Sequence, residues 1–325
     1  MKITVDIDKV INQMLKGNYG LSTFFQNGGR SLFENFLQYD HLFFHPKYFR
    51  RYPKNATSML RQLLKNETYY DSPLFLILFK SFVYAELQFI NNYIPQNSHE
   101  ERLTGHLTSE YSNSLSLIHS TFKEKAKELY NEDVDLDFLY SDLSSNSQEK
   151  ITGADFGIIL HLNLPDYPEK IKTLVCQAKK FNLIASININ QLETLKQFGE
   201  EASFYCYYDM NEKERNSPLI QRAHQISIDN ESSAKTVSLK REKITKSWNG
   251  GIPLSVYLIF ELMTADTNYG KSFTNLWDAS RFLNNSNRDE PISRILTISI
   301  GGVSNSKQDL RNLSQLFRNQ DYTEE

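Results

Sequence analysis

The sequence predicts a mixed α/β (α+β) fold with a helical N-terminal region, on three observations. Residues 99–130 carry apolar side chains at helical spacing. Two β-rich runs, 155–164 and 171–179, follow. A second helical stretch, 188–198, then precedes another strand at 203–208. This succession of helix, strands, helix and strand places both element types in one layered core.

Composition narrows the class. The chain has 325 residues, with 36 Lys and Arg against 39 Asp and Glu, and a formal charge of −3. That length suits one large domain or two modest ones, each with a real core. At 40% hydrophobic and 23% charged residues, it is not an intrinsically disordered chain. The near-neutral balance excludes a protein that grips nucleic acid by overall charge alone. Two cysteines, Cys176 and Cys206, exclude a disulfide scaffold and fit a reducing cytoplasm. The opening MKITVDIDKVINQ has no apolar leader run, so a cytoplasmic location without a membrane partner is expected. Residues 73–94 could span a bilayer by length, but Lys80, Glu86, Gln88, Asn91 and Asn92 interrupt them. A buried helix is expected there.

Taken in order, residues 1–98 read as a helical region, with loops at Asn27-Gly28-Gly29 and Arg51-Tyr52-Pro53. Within it, 41–65 holds Lys47, Arg50, Arg51, Lys54, Arg61 and Lys65 and no acid, interleaved with Phe43, Phe44, Tyr48, Phe49 and Tyr52. Such a mixture can hold phosphates while aromatic faces stack on bases; it also suits a helix pair with one solvated basic face. From 99 to 325 the texture is that of the mixed domain. Its first helix is expected to be capped by Ser98, with Glu100 and Glu101 in the first turn and Leu103, Leu107, Leu115 and Ile118 inward. The acidic run NEDVDLDFLYSD follows, and then the two strands, joined by a turn around Pro165-Asp166. Stretches 254–264 and 273–283 read as helices, and 292–300 as a late strand. A second basic stretch, 235–246, holds Lys235, Lys240, Arg241, Lys243 and Lys246 against Glu242.

The chemistry concentrates in 151–180, ITGADFGIILHLNLPDYPEKIKTLVCQAKK. Asp155 opens one strand, and the next ends in Gln177-Ala178-Lys179. Side chains alternate along a strand, so Gln177 and Lys179 share a face while Ala178 points the other way. Asp155 can lie beside that pair. A carboxylate, an amide oxygen, a backbone carbonyl and an ammonium then face one spot, and such hard oxygen donors suit Mg²⁺. A neighbouring lysine can orient a water or stabilise a pentacovalent phosphate.

Gly153-Ala154-Asp155 and Gln177-Ala178-Lys179 resemble the PD-(D/E)xK nuclease superfamily, and specifically its Mrr-like restriction endonuclease branch, in which QxK replaces (D/E)xK. The resemblance covers roughly 99–210. It implies a restriction-endonuclease-like mixed sheet flanked by helices and a Mg²⁺-dependent DNA endonuclease, with Mn²⁺ as the other suitable ion. It also implies a prokaryotic restriction or anti-phage setting, with a partner protein of a defence system and a homo-oligomer for double-strand cleavage. Asp155, Gln177 and Ala178 would hold the metal, Lys179 would place the nucleophile, and a helix glutamate would complete the shell. Glu101 is the first candidate for that role, with Glu100 and Glu110 behind it. Lys240, Arg241, Lys243, Arg50 and Arg51 are the expected nucleic-acid contacts, and Gln191 is a candidate contact with DNA or the metal's waters. Two departures from the pattern stand out: Ala154 replaces the signature proline, and Gln177 removes one negative ligand. The second keeps open another reading, a silent nuclease-like module that binds nucleic acid or a partner protein.

Other motifs fall short. Residues 265–272, ending in Gly270-Lys271-Ser272, loosely match a phosphate-binding loop but lack the sheet that should follow. Asp133, Asp135 and Asp137 imitate a calcium loop, yet Phe138 and Ser144 occupy its glycine and glutamate positions. His41 and His45 have helical spacing and no third ligand.

Overall fold

The computed structural model describes residues 63, 64, 67, 70, 72–142, 154–211, 216–227, 235–245, 250–263, 270–284, 292 and 294–301. The expectations for Arg50, Arg51, His41, His45 and most of the basic 41–65 stretch lie outside these residues.

Helix α1, Pro73–Asn92, begins where the Ser72 hydroxyl accepts the Leu74 amide at 3.3 Å. Pro73 sits in the first turn, where its missing N–H has no helical partner to lose. Leu74, Phe75, Leu78, Phe79, Phe82, Leu87 and Phe89 are all buried, so α1 is the expected core helix. Among the described residues it is the one stretch long and apolar enough to cross a membrane, and 72% of its most apolar window is buried inside the protein.

Helix α2, Glu100–Tyr130, buries Leu103, Leu107, Tyr111, Leu115, Ile118, Phe122 and Ala126 along one stripe. It is capped by His99 rather than by Ser98, and without a side-chain hydrogen bond. The Ser98 carbonyl instead accepts the Lys180 ammonium at 3.0 Å. Glu100 and Glu101 lie against the positive end of the helix dipole. Asn131 closes the other end with a left-handed φ of 53°.

The chain continues through β1 (Leu136–Asp142), β2 (Phe156–Asn163), β3 (Lys170–Phe181), β4 (Ile184–Asn188) and α3 (Ile189–Lys196). It then forms β5 (Ser203–Asp209), β6 (Leu219–Arg222), β7 (Thr236–Lys240), α4 (Arg241–Thr245) and β8 (Ile252–Pro253). Helix α5 (Leu254–Val256) runs into a π-helical turn, Tyr257–Leu262, and is followed by β9 (Lys271–Phe273), α6 (Leu276–Asn284) and β10 (Arg294–Gly301). The main sheet has the order β1-β10-β2-β3-β5-β6-β8, and β9 adds to β3. Pairs β10–β2 and β3–β5 are parallel, and the remaining pairs of this sheet are antiparallel. A separate antiparallel ribbon joins β4 to β7. The fold is therefore the predicted mixed α/β arrangement, a mixed sheet flanked by helices.

Helices cover both faces of the sheet, so the middle strands β2, β5 and β10 are buried along nearly their whole length, polar residues such as His161, Thr297 and Ser299 included. On one face, α1, α2 and α5 pack over Ile158, Leu160, Cys176, Ala178, Phe204 and Ile298. On the other, α3 and α6 pack over Ile159, Val175, Tyr205, Tyr207 and Ile295. Both cysteines are buried, as are the tyrosines of β5.

Three local readings change. The acidic run ends in β1, paired with β10, because its Leu136 and Phe138 side chains pack against the core. The helix expected over 273–283 starts at Leu276, since Lys271–Phe273 pairs with β3. The one expected over 254–264 turns π-helical after three residues.

Candidate active site

The site forms where β2 stops and β3 continues. Phe156 pairs with Cys176, and the Asp155 amide gives one last rung to the Cys176 carbonyl at 2.9 Å. Beyond Cys176, β3 keeps β5 on one edge, from Gln177 against Tyr205 to Phe181 against Asp209. On the other edge, Ala178 and Lys180 present backbone amides that β2 no longer reaches. Buried amides need acceptors. Ala178 N donates to Asp155 Oδ2 at 2.6 Å, and Lys180 N donates to Glu100 Oε1 at 2.9 Å. Two carboxylates thus replace the missing strand.

The side chains follow from strand alternation. Ala178 packs into the core under α1 and α2, while Gln177 and Lys179 point to the opposite face. Gln177 Nε2 donates to Asp155 Oδ2 at 2.5 Å and to the Ala178 carbonyl at 3.3 Å. Asp155 is 7% exposed and Gln177 4%. Lys179 Nζ lies 3.3 Å from Glu100 Oε2, a partly buried ion pair. Together with His99, Glu101, Lys180 and Gln191, these residues line an open cleft of about 420 Å³. One wall is the start of α2 and the other the start of α3. The Asn188 side chain fixes α3 there by accepting the Asn190 and Gln191 amides at 2.9 and 3.2 Å.

Asp155, Gln177, Ala178 and Lys179 therefore lie together, as their spacing suggests. The helix glutamates divide differently from the order expected. Glu101 lines the cleft, but its carboxylate is held by Arg294 at 2.9 Å; Glu100 is the one that reaches β3. Glu110 lies away from the cleft and accepts the Tyr93 hydroxyl at 2.9 Å. Lys180, which sequence reading passed over, also lines the site; its signal was its place beside the motif lysine.

Arg241 is a correction to the expected nucleic-acid contacts. Arg241 is 7% exposed, and its guanidinium makes a bidentate pair with Asp209 at 2.5 and 2.7 Å. It fastens α4 to β5 and does not face solvent. Lys240 and Lys243 are exposed beside it. The loose phosphate-loop match also dissolves, because Lys271 begins a strand rather than a helix and its ammonium sits 4.5 Å from the Phe282 ring centre.

Among the described residues, no group of three His, Cys, Asp or Glu side chains is gathered to hold a metal. Of the three carboxylates that line the cleft, Glu100 is engaged by Lys179 and the Lys180 amide and Glu101 by Arg294, while Asp155 sits with the Gln177 amide and the Ala178 carbonyl as the candidate donor set. That set fits a hard cation that keeps several waters and takes further oxygens from a bound phosphate, as Mg²⁺ does. It does not fit a tightly caged ion.

No family model, no curated protein and no solved structure matches the chain.

Proposed function

We propose that the chain is a metal-dependent DNA endonuclease of the PD-(D/E)xK type, acting in a prokaryotic restriction or anti-phage role in the cytoplasm. One observation carries this reading: Asp155, Gln177, Lys179 and Glu100 meet at the open end of β3, in an open cleft of about 420 Å³, with the Ala178 carbonyl beside Gln177. Asp155, Gln177 and the Ala178 carbonyl would hold Mg²⁺ or Mn²⁺. When bound, the cation supplies an activated water and neutralises charge on the pentacovalent phosphate. Glu100 holds the Lys179 ammonium at the rim, where it can meet a phosphate oxygen or orient the attacking water. Lys240, at the end of β7, and Lys243, on α4, would hold the DNA backbone.

The test is plasmid cleavage with Mg²⁺ or Mn²⁺. Asp155→Ala and Lys179→Ala should each abolish cleavage, with circular dichroism unchanged for Lys179→Ala. Undiminished cleavage by both variants overturns the reading. A second reading has its own support: the Gln177 nitrogen stands between Asp155 and the Ala178 carbonyl. On that reading the chain binds nucleic acid without cutting, and wild type retards DNA in a gel shift while leaving plasmid intact.

A further inference from the structure

We infer that the Gln177 carboxamide is a built-in substitute for the cation: its nitrogen holds the space between Asp155 and the Ala178 carbonyl, and a divalent ion enters only as the amide turns its oxygen inward. The cation in this statement rests on the nuclease reading above; the geometry of the amide does not.

The orientation of the amide follows from its partners. A carboxylate and a backbone carbonyl are both acceptors. Only the NH₂ end can lie 2.5 Å from Asp155 Oδ2 and 3.3 Å from the Ala178 oxygen; the reversed amide would bring three oxygens together with no proton between them. Asp155 Oδ2 also takes the Ala178 amide at 2.6 Å, so one oxygen carries two N–H donors. Two protons with partial positive charge thus do for this nearly buried carboxylate what a metal would do.

A glutamate at 177 would behave differently. Two carboxylates would meet at this distance with little water to screen them, and only a cation would relieve the contact. Glutamine therefore gives a site that is satisfied without metal and binds it weakly, since entry breaks two hydrogen bonds and offers one carboxylate in return. Turning the terminal amide about its last torsion swaps nitrogen for oxygen without moving the backbone, because that torsion has broad, roughly two-fold preferences. A substrate phosphate would supply the missing anionic ligand, so metal loading and nucleic-acid binding are coupled.

Three measurements test this without using cleavage. Mn²⁺ titration followed by electron paramagnetic resonance should give wild type a dissociation constant at least about tenfold weaker than Gln177→Glu. In metal-free buffer Gln177→Glu should melt below wild type and recover on adding Mn²⁺, while wild type changes little. Gln177→Met, which removes the donor without adding charge, should melt low and stay low in Mn²⁺. Should Gln177→Glu fail to fold, the wild-type side-chain ¹⁵NH₂ resonance of Gln177 decides. Protection from solvent exchange in metal-free protein, lost on saturation with Mg²⁺, supports the substitution. Equal Mn²⁺ affinity in wild type and Gln177→Glu, or an unprotected amide, overturns it. If neither protein cuts DNA yet only Gln177→Glu is rescued by Mn²⁺, the nuclease reading fails and the amide assignment stands.

Discussion

Glu86 brings a carboxylate into the middle of the layer formed by α1, α2 and α5. Its Oε1 accepts the Tyr111 hydroxyl at 2.8 Å and the Ser255 amide at 2.6 Å, and its Oε2 accepts the Ser255 hydroxyl at 2.8 Å. Burial nonetheless pushes its pKa up to about 7, since loss of water outweighs those donors. The sign of the linkage follows. Between the ordinary value of 4.5 and about 7, the unfolded chain releases a proton that the fold retains. The stability this group contributes is complete below about 4.5 and is lost as the pH rises through about 7. Glu86→Gln keeps an acceptor for Tyr111 and cannot ionise. Its melting temperature should therefore gain on wild type between about pH 4.5 and about pH 7. A constant difference across that range would remove Glu86 as the cause.

At the scale of elements, β3 decides the most. It is a twelve-residue strand whose first half pairs with β2 and β9 and whose second half pairs with β5 alone. The mismatch with β2, which is eight residues long, opens the edge that Asp155 and Glu100 cap. The ribbon of β4 and β7 extends from the same strand. Ala185 and Ile187 face the core, while Ile184 and Ser186 stand opposite Lys240 and Ser238 on the exposed face. Adjacent basic residues differ here: Arg241 is buried against Asp209, whereas Lys240 and Lys243 are exposed and, on the proposed reading, would hold DNA. Lys240→Ala with Lys243→Ala should leave melting unchanged and flatten the salt dependence of DNA affinity by roughly two units of slope, close to one per lost phosphate contact. Arg241→Ala should instead cost about 3 kcal/mol, because it leaves the buried Asp209 carboxylate with the Asn211 and Asn216 donors but no counter-charge. An equal salt-slope change from all three, with no loss of stability at Arg241, would refute this division.

Across the whole molecule, α1 is inseparable from the sheet's core. Phe89 packs against Tyr208 of β5 at 5.3 Å between ring centres, Phe79 packs edge-on to Phe260, and Glu86 bonds to Ser255. A chain beginning at residue 99 would expose the α2 stripe and one face of the sheet. It should lose near-ultraviolet circular dichroism and bind a hydrophobic dye; cooperative melting of that fragment would show that the region before 99 is a separable domain.

Much of this could be read from sequence because it depends on local patterning. The stripe of α2, the runs of β2, β3 and β5, and the alternation placing Gln177 beside Lys179 are periodicities of the chain itself. β1, β4, β6 and β7 were not legible. β4, β6 and β7 are short, β1 lies in an acidic run and β7 in a basic one; their strand identity comes from partners distant in sequence, as β1 depends on β10. The same holds within the site. Sequence brought Asp155, Gln177 and Lys179 together and nominated the glutamates at the start of α2, because Asp155 precedes β2, Gln177 and Lys179 alternate along β3, and the glutamates open a helix. The choice of Glu100 over Glu101 to reach β3, and the withdrawal of Arg241 to Asp209, belong to the tertiary structure alone. Adjacent residues on a helix point about 100° apart, and only the packing of α2 on the sheet fixes which of them faces the cleft.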